Sequence, residues 1–98
     1  MTTMTTQDKI NATIATLEAA GLTHGSAHLL AYIVEDAPNW SGSPMLDLTA
    51  SDKGNLTDLK KNGYLTTQYD SDTRVTYAFF TDAGTALIKT TAMADYLA

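Results

Sequence analysis

The chain has 98 residues, a mass of 10.5 kDa and a net charge of -5. We expect one domain over residues 1–98, because a chain of this length is too short to form a second hydrophobic core. It contains no cysteine, which excludes disulfide scaffolds, thiol nucleophiles and cysteine-bound zinc. No apolar run approaches the roughly 20 residues of a spanning helix, and the first residues lack a secretory pattern. We therefore expect a cytoplasmic protein that does not contact membranes.

A first helix is predicted over residues 5–20, after a flexible N-terminus at residues 1–5. Its apolar face repeats at intervals of four and three residues. That face consists of Ile10, Ile14 and Leu17. Thr5 and Asp8 have the spacing of a helix cap, and Gly21 is a natural stop.

A second helix is predicted over residues 24–36, ended by Pro38. Its apolar stripe consists of Leu29, Leu30, Ile33 and Val34. Residues 38–43 have loop chemistry, and Trp40 within them either covers the core or anchors a partner. Ser43 before Pro44 predicts a short third helix that continues to about Leu48.

A fourth helix is expected to begin near Thr49 or Ser51 and to end at Asn62 and Gly63. Leu56 and Leu59 are expected to face the core, with Lys60 and Lys61 in the last turn.

Beyond Gly63 the pattern becomes typical of strands. Residues 64–69 and 74–80 are rich in aromatic and β-branched side chains, and the Asp-Ser-Asp-Thr sequence between them predicts a hairpin turn. The alternation predicts that Val75, Tyr77 and Phe79 point inward, with Thr76 and Ala78 outward. From Thr81 a last helix is expected to run to about Tyr96. Its largest apolar groups are Leu87, Ile88 and Leu97.

This order predicts an α+β, mostly helical fold. The stretches 55–65, 70–74 and 80–87 resemble the end of the recognition helix, the wing and the start of the next helix in MarR-type winged-helix regulators. The most specific part is Leu-Lys-Lys-Asn-Gly-Tyr-Leu, followed at hairpin distance by Thr-Asp-Ala-Gly. The resemblance, strongest over residues 55–87, implies a winged helix-turn-helix domain with a two-stranded wing and a C-terminal helix.

The same resemblance implies a transcriptional regulator that binds duplex DNA, with a homodimer formed through the terminal helices. Outward-facing residues of the recognition helix and the wing would contact the DNA. They are Lys53, Asn55, Thr57, Lys60 and Lys61 on the helix, and Thr73 and Arg74 on the wing. The structural alternative is that Lys60 and Lys61 form a solvated helix end and that Arg74 pairs with Asp70 or Asp72.

A second hypothesis is an acidic winged-helix adaptor, of a size that suits a phage or a mobile element, that binds a partner protein and no DNA. The net charge supports this hypothesis, as does the expectation that Asp52 and Asp58 lie on or near the exposed side of the recognition helix, where carboxylates repel phosphates. A third option is a ligand-sensing regulator with a pocket between the dimer helices and the winged domain.

We expect no enzymatic activity, no metal and no cofactor. His24 and His28 share a helix face but have no third ligand nearby in the sequence, so imidazoles without a metal are favoured. Ser26 with His28 lacks the context of an activated nucleophile.

Overall fold

A computed structural model describes residues 5–36, 43–44 and 48–97, which form an α+β fold. The side chains of residues 36, 43, 44 and 97 are outside this description. In chain order the elements are α1 (Thr6–Ala19), α2 (His24–Asp36), β1 (Ser43–Pro44), α3 (Ala50–Lys61), β2 (Leu65–Asp70), β3 (Val75–Phe80), α4 (Asp82–Ile88) and a 3-10 helix (Ala94–Leu97). None of the described helices has the length and apolar character needed to cross a bilayer.

The ends of α1 follow the local chemistry predicted for them. The Thr5 hydroxyl accepts a hydrogen bond from the Asp8 N–H, and the Asp8 carboxylate accepts one from the Thr5 N–H, which completes a capping box. At the other end Gly21 has a φ of +105°, and the Leu22 N–H returns to the Leu17 carbonyl. Both predicted ends of this helix are confirmed.

The core lies around α2, which contacts α1, α3 and the terminal 3-10 helix. All four residues of its predicted apolar stripe are buried, as is the apolar face of α1. The same cluster takes in Leu59, Leu65, Ile88 and Met93, so the described α-helices and β2 contribute to one core. The role of Pro38 in ending α2 falls outside the described residues, as does Trp40.

The strands form one antiparallel sheet in the order β1-β3-β2. The predicted hairpin is confirmed, with Leu65 opposite Phe80 and Asp70 opposite Val75. Its inward face was predicted wrongly: Ala78 is fully buried, whereas Tyr77 on the other face is only half-buried. Because Leu65 enters the core, strand alternation places Phe80 and Ala78 on that side as well.

Two further predictions about secondary structure are wrong. Ser43 and Pro44 do not begin a helix; they form β1 and pair with Ala78 and Tyr77 of β3. A proline lacks the N–H that a central strand requires, and β1 lies at the edge of the sheet, where its absence is tolerated. The remaining residues of the expected helix, 45–47, lie outside the described part.

The second error concerns the last helix, which ends at Ile88 rather than near Tyr96. The hydroxyls of Thr90 and Thr91 donate to the carbonyls of Leu87 and Ile88, at 2.7 and 2.6 Å. These carbonyls would otherwise accept bonds from the next helical turn, so the threonines favour a turn over continued helix. The chain then forms the 3-10 helix, and Met93, which the sequence pattern did not single out, is fully buried.

Candidate nucleic-acid interface

Helix α3 forms as predicted. Thr49 caps it by accepting from the Asp52 N–H, and Gly63, just beyond its end, has a φ of +80° that suits the turn into β2. Lys60 and Lys61 lie in its last turn, where positive charge interacts favourably with the helix dipole.

One exposed face of α3 carries four of the predicted DNA-binding residues. Lys53, Thr57, Lys60 and Lys61 are all exposed. With 3.6 residues per turn these positions fall within a sector of about 100°. The Thr57 hydroxyl donates to the Lys53 carbonyl at 3.0 Å, which holds it close to the helix surface. We call these four residues the lysine face of α3.

Asn55 is the predicted helix residue that the structure does not bring to the lysine face. It is half-buried, and its amide group lies beside Gly25 of α2, only 2.7 Å from where a Cβ on that glycine would stand. Its amide nitrogen also donates to the Asp52 carboxylate at 3.4 Å. Asn55 therefore helps to fit α3 against α2.

The two acidic residues of α3, expected on or near its exposed side, are half-buried and lie beside the lysine face rather than on it. The Asp58 carboxylate accepts a 2.7 Å hydrogen bond from the hydroxyl of Ser26, a residue with no exposed surface. Asp52 is half-buried and accepts from Asn55. By helical geometry both lie more than about 100° from the middle of the lysine face. The Asp58–Ser26 bond also fixes α3 on α2.

The turn between β2 and β3 presents the other two predicted residues, Thr73 and Arg74, and both are exposed. The turn is organised by Asp70, whose carboxylate accepts from the Asp72 N–H at 2.9 Å. Arg74 has a φ of +58°, a left-handed conformation that is uncommon for residues other than glycine. The turn therefore holds the Arg74 backbone in a costly conformation at the tip.

The cations of this region have no carboxylate partner within the described part of the chain. Among these residues, the contact at salt-bridge distance joins the His24 imidazole of α2 to the Glu18 carboxylate of α1. Arg74 thus does not pair with Asp70 or Asp72, and Lys53, Lys60 and Lys61 are likewise unpaired among the described residues. These four positive groups are free to contact an anionic ligand.

The other residues weighed for chemistry lie elsewhere. The rings of His24 and His28 are 6.2 Å apart, and the His28 ring lies 4.6 Å from that of Tyr32. No group of three metal-ligating side chains is assembled among the described residues. Ser26 is buried and its hydroxyl donates to Asp58, whereas His28 is exposed.

The β2–β3 hairpin carries a cavity that the sequence pattern does not predict. It is open, has a volume of about 550 Å³ and lies against β2 and β3. Its lining consists of Gln68, Tyr69, Asp70, Ser71, Tyr77 and Phe79. The aromatic alternation in residues 75–79 was the available signal, but those rings were assigned to the core.

Comparison of the chain with protein-family models, with curated protein sequences and with solved structures finds no match. The geometry of the described residues is therefore the basis for assigning a function.

Proposed function

We propose that the protein is a small MarR-like winged-helix regulator that binds duplex DNA. In this proposal α3 enters the major groove and the turn between β2 and β3 lies beside it as the wing. The observation that carries the proposal is the lysine face, where three exposed lysines lie together without a described carboxylate partner.

The element order supports the proposal. A helix, a short strand, a helix and a two-stranded hairpin follow one another as α2, β1, α3, β2 and β3, and β1 joins the hairpin sheet. One difference from a full helix-turn-helix is that α3 is preceded directly by Leu48 and Thr49, which are not helical. In this chain α2 would support α3 instead, through the Ser26–Asp58 hydrogen bond.

The positions of the positive charges support DNA binding, although the net charge of the chain is negative. Phosphate contacts depend on the cations at the interface, and exposed charges farther away than a Debye length of about 8 Å are screened at physiological salt. Lys53, Lys60, Lys61 and Arg74 would contact phosphates, and the Thr73 hydroxyl can donate to a phosphate. The Thr57 hydroxyl, whose proton is donated to the Lys53 carbonyl, can accept from a base.

A homodimer formed through the terminal helices is also part of the proposal. Tyr96, which lies near the end of the chain, packs partly on its own core, and the Lys9 ammonium lies 5.7 Å from the centre of its ring. The exposed side of α1 is therefore the terminal surface that we propose for pairing.

Removal of two lysines from the lysine face tests the proposal. Replacing Lys60 and Lys61 together with alanine should weaken DNA binding for all sequences. It should also reduce the slope of log K against log salt by about 0.9 for each phosphate that the variant no longer neutralises. The measurement is a fluorescence titration of mixed duplex fragments at several salt concentrations.

The control is the single variant Lys89→Ala, which removes a positive charge from a position outside α3, the wing and the proposed pairing surface. We expect the control to keep the slope of the unaltered protein. A slope reduced as much per lost charge in the control as in the double variant would contradict the proposed orientation of α3.

A protein-binding adaptor is the second candidate, and the net charge of -5 is the observation that favours it. It predicts no DNA binding even at low salt, where phosphate-led binding is strongest. In that case the same fold would serve as a scaffold for contacts with a protein partner.

A further inference from the structure

We propose that the cavity on the β2–β3 hairpin binds an organic cation, such as an alkylammonium group. The cavity and α3 are separate surfaces, because none of the residues that line the cavity belongs to the lysine face. The inference therefore goes beyond DNA binding and can be tested without DNA.

The register of the hairpin assembles the cavity. Gln68 lies opposite Tyr77, and Asp70 lies two residues along from Gln68, so these three side chains share one face of the sheet. Phe79 is on that face too, two residues from Tyr77, and both rings are half-buried. The volume of about 550 Å³ falls within the range of small-molecule sites, about 300–1,000 Å³.

The lining combines aromatic rings with one carboxylate. Tyr77 and Phe79 supply rings whose faces carry partial negative charge and attract cations. Tyr69 also lines the cavity, but strand alternation places its side chain on the opposite face of the sheet, where the residue is 65% exposed. Asp70 supplies the formal negative charge, and Gln68 and Ser71 are neutral polar groups. Within the described part of the chain, no cationic residue lines this cavity.

The hairpin turn orients the Asp70 carboxylate. Its Oδ1 atom accepts from the Asp72 N–H at 2.9 Å, while its Oδ2 atom has no hydrogen-bond partner among the described residues. A cation in the cavity would balance this charge. A neutral ligand of the same shape would remove water from the carboxylate without supplying a new electrostatic partner, which is unfavourable.

The ligand test uses choline and dimethylbutanol, its neutral isostere in which a carbon atom replaces the nitrogen. Backbone amide NMR spectra are recorded during titration of the full chain with each compound, and with sodium chloride at matched ionic strength. We expect choline to shift the amide signals of residues 68–71 and 77–79 in a saturable way. Dimethylbutanol and sodium chloride should leave these signals nearly unchanged.

The variant test compares Asp70→Asn with Asp72→Asn. Both remove one negative charge from the same turn, and an asparagine oxygen at position 70 can still accept from the Asp72 N–H. We expect Asp70→Asn to weaken choline binding roughly five- to tenfold, as for removal of one electrostatic partner of a bound cation, and Asp72→Asn to weaken it less than about twofold.

Three results would overturn the proposal. The first is a choline response no larger than that to sodium chloride, and the second is an equal response to dimethylbutanol. The third is an equal weakening of binding in the two variants, since that would assign the effect to the general charge of the turn.

Discussion

Thr13 has a buried hydroxyl without a hydrogen-bond partner, the one such side-chain atom in the described part of the chain. The residue has no exposed surface and lies on the same helical face as Ile10, Ile14 and Leu17. A buried polar atom that has given up its bonds to water destabilises the folded state unless a protein partner replaces them.

Replacing Thr13 with valine should therefore stabilise the protein. Valine keeps the branched shape and removes the unpaired hydroxyl, so we expect the free energy of unfolding to rise by about 1 kcal/mol. Urea unfolding followed by circular dichroism measures the change. Ser26→Ala is the contrasting variant, because it removes a buried hydroxyl that does have a partner, Asp58. A Thr13→Val protein less stable than the parent would show that the hydroxyl is satisfied in solution.

At the scale of elements, two helical glycines differ in their surroundings: one is closely packed against another part of the backbone, and the other is not. Gly84 lies in the first turn of α4, and a Cβ there would collide with the carbonyl of Tyr64, the residue before β2, which also accepts from the Thr81 N–H. Gly54 lies inside α3 with no neighbouring atom within 4 Å of an added Cβ. The same substitution should thus have opposite effects at the two positions.

Gly84→Ala should lower the free energy of unfolding by about 1–3 kcal/mol, because backbone atoms of α4 and β2 must move apart. Gly54→Ala should raise it by about 0.5–1 kcal/mol, since alanine loses less conformational freedom in a helix. Thermal unfolding of both variants beside the parent measures the two effects. Stabilisation by Gly84→Ala would mean that α4 is not held against Tyr64.

The elements that local chemistry defines could be predicted from the sequence. A cap at Thr5, another at Thr49 and the turn at Asp70 each depend on neighbours within three residues, and all three form. The end of α4 could not be predicted, because the hydroxyls of Thr90 and Thr91 compete with the helix through hydrogen bonds that residue patterns do not specify.

The candidate site, too, could be predicted from the sequence only in part. Exposure of the lysine face follows from helical periodicity, so those residues could be identified in advance. The fit of Asn55 beside Gly25 depends on how α2 and α3 pack. The cavity on the β2–β3 hairpin depends on which face of the sheet enters the core. The larger side chain of Tyr77 favours its own face as the buried one, whereas the structure buries the face that carries the smaller Ala78.

At the scale of the whole molecule, the two ends of the described chain meet on one core. The 3-10 helix contacts α2 and α4, and Met93 just before it is fully buried. Lys9 of α1 lies over the ring of Tyr96 in the same region. Residues 89–97 thus complete the fold of their own chain.

Met93→Ala should consequently lower the free energy of unfolding by about 2–5 kcal/mol, a large part of the roughly 5–15 kcal/mol typical of a domain. Met93→Leu, which keeps the volume, should cost less than about 1.5 kcal/mol. Urea unfolding at two protein concentrations measures both. If this segment instead stabilised a dimer, the difference between the alanine variant and the parent would change with protein concentration, because association is linked to mass action. We expect the difference to be independent of concentration, since Met93 fills a core formed by its own chain.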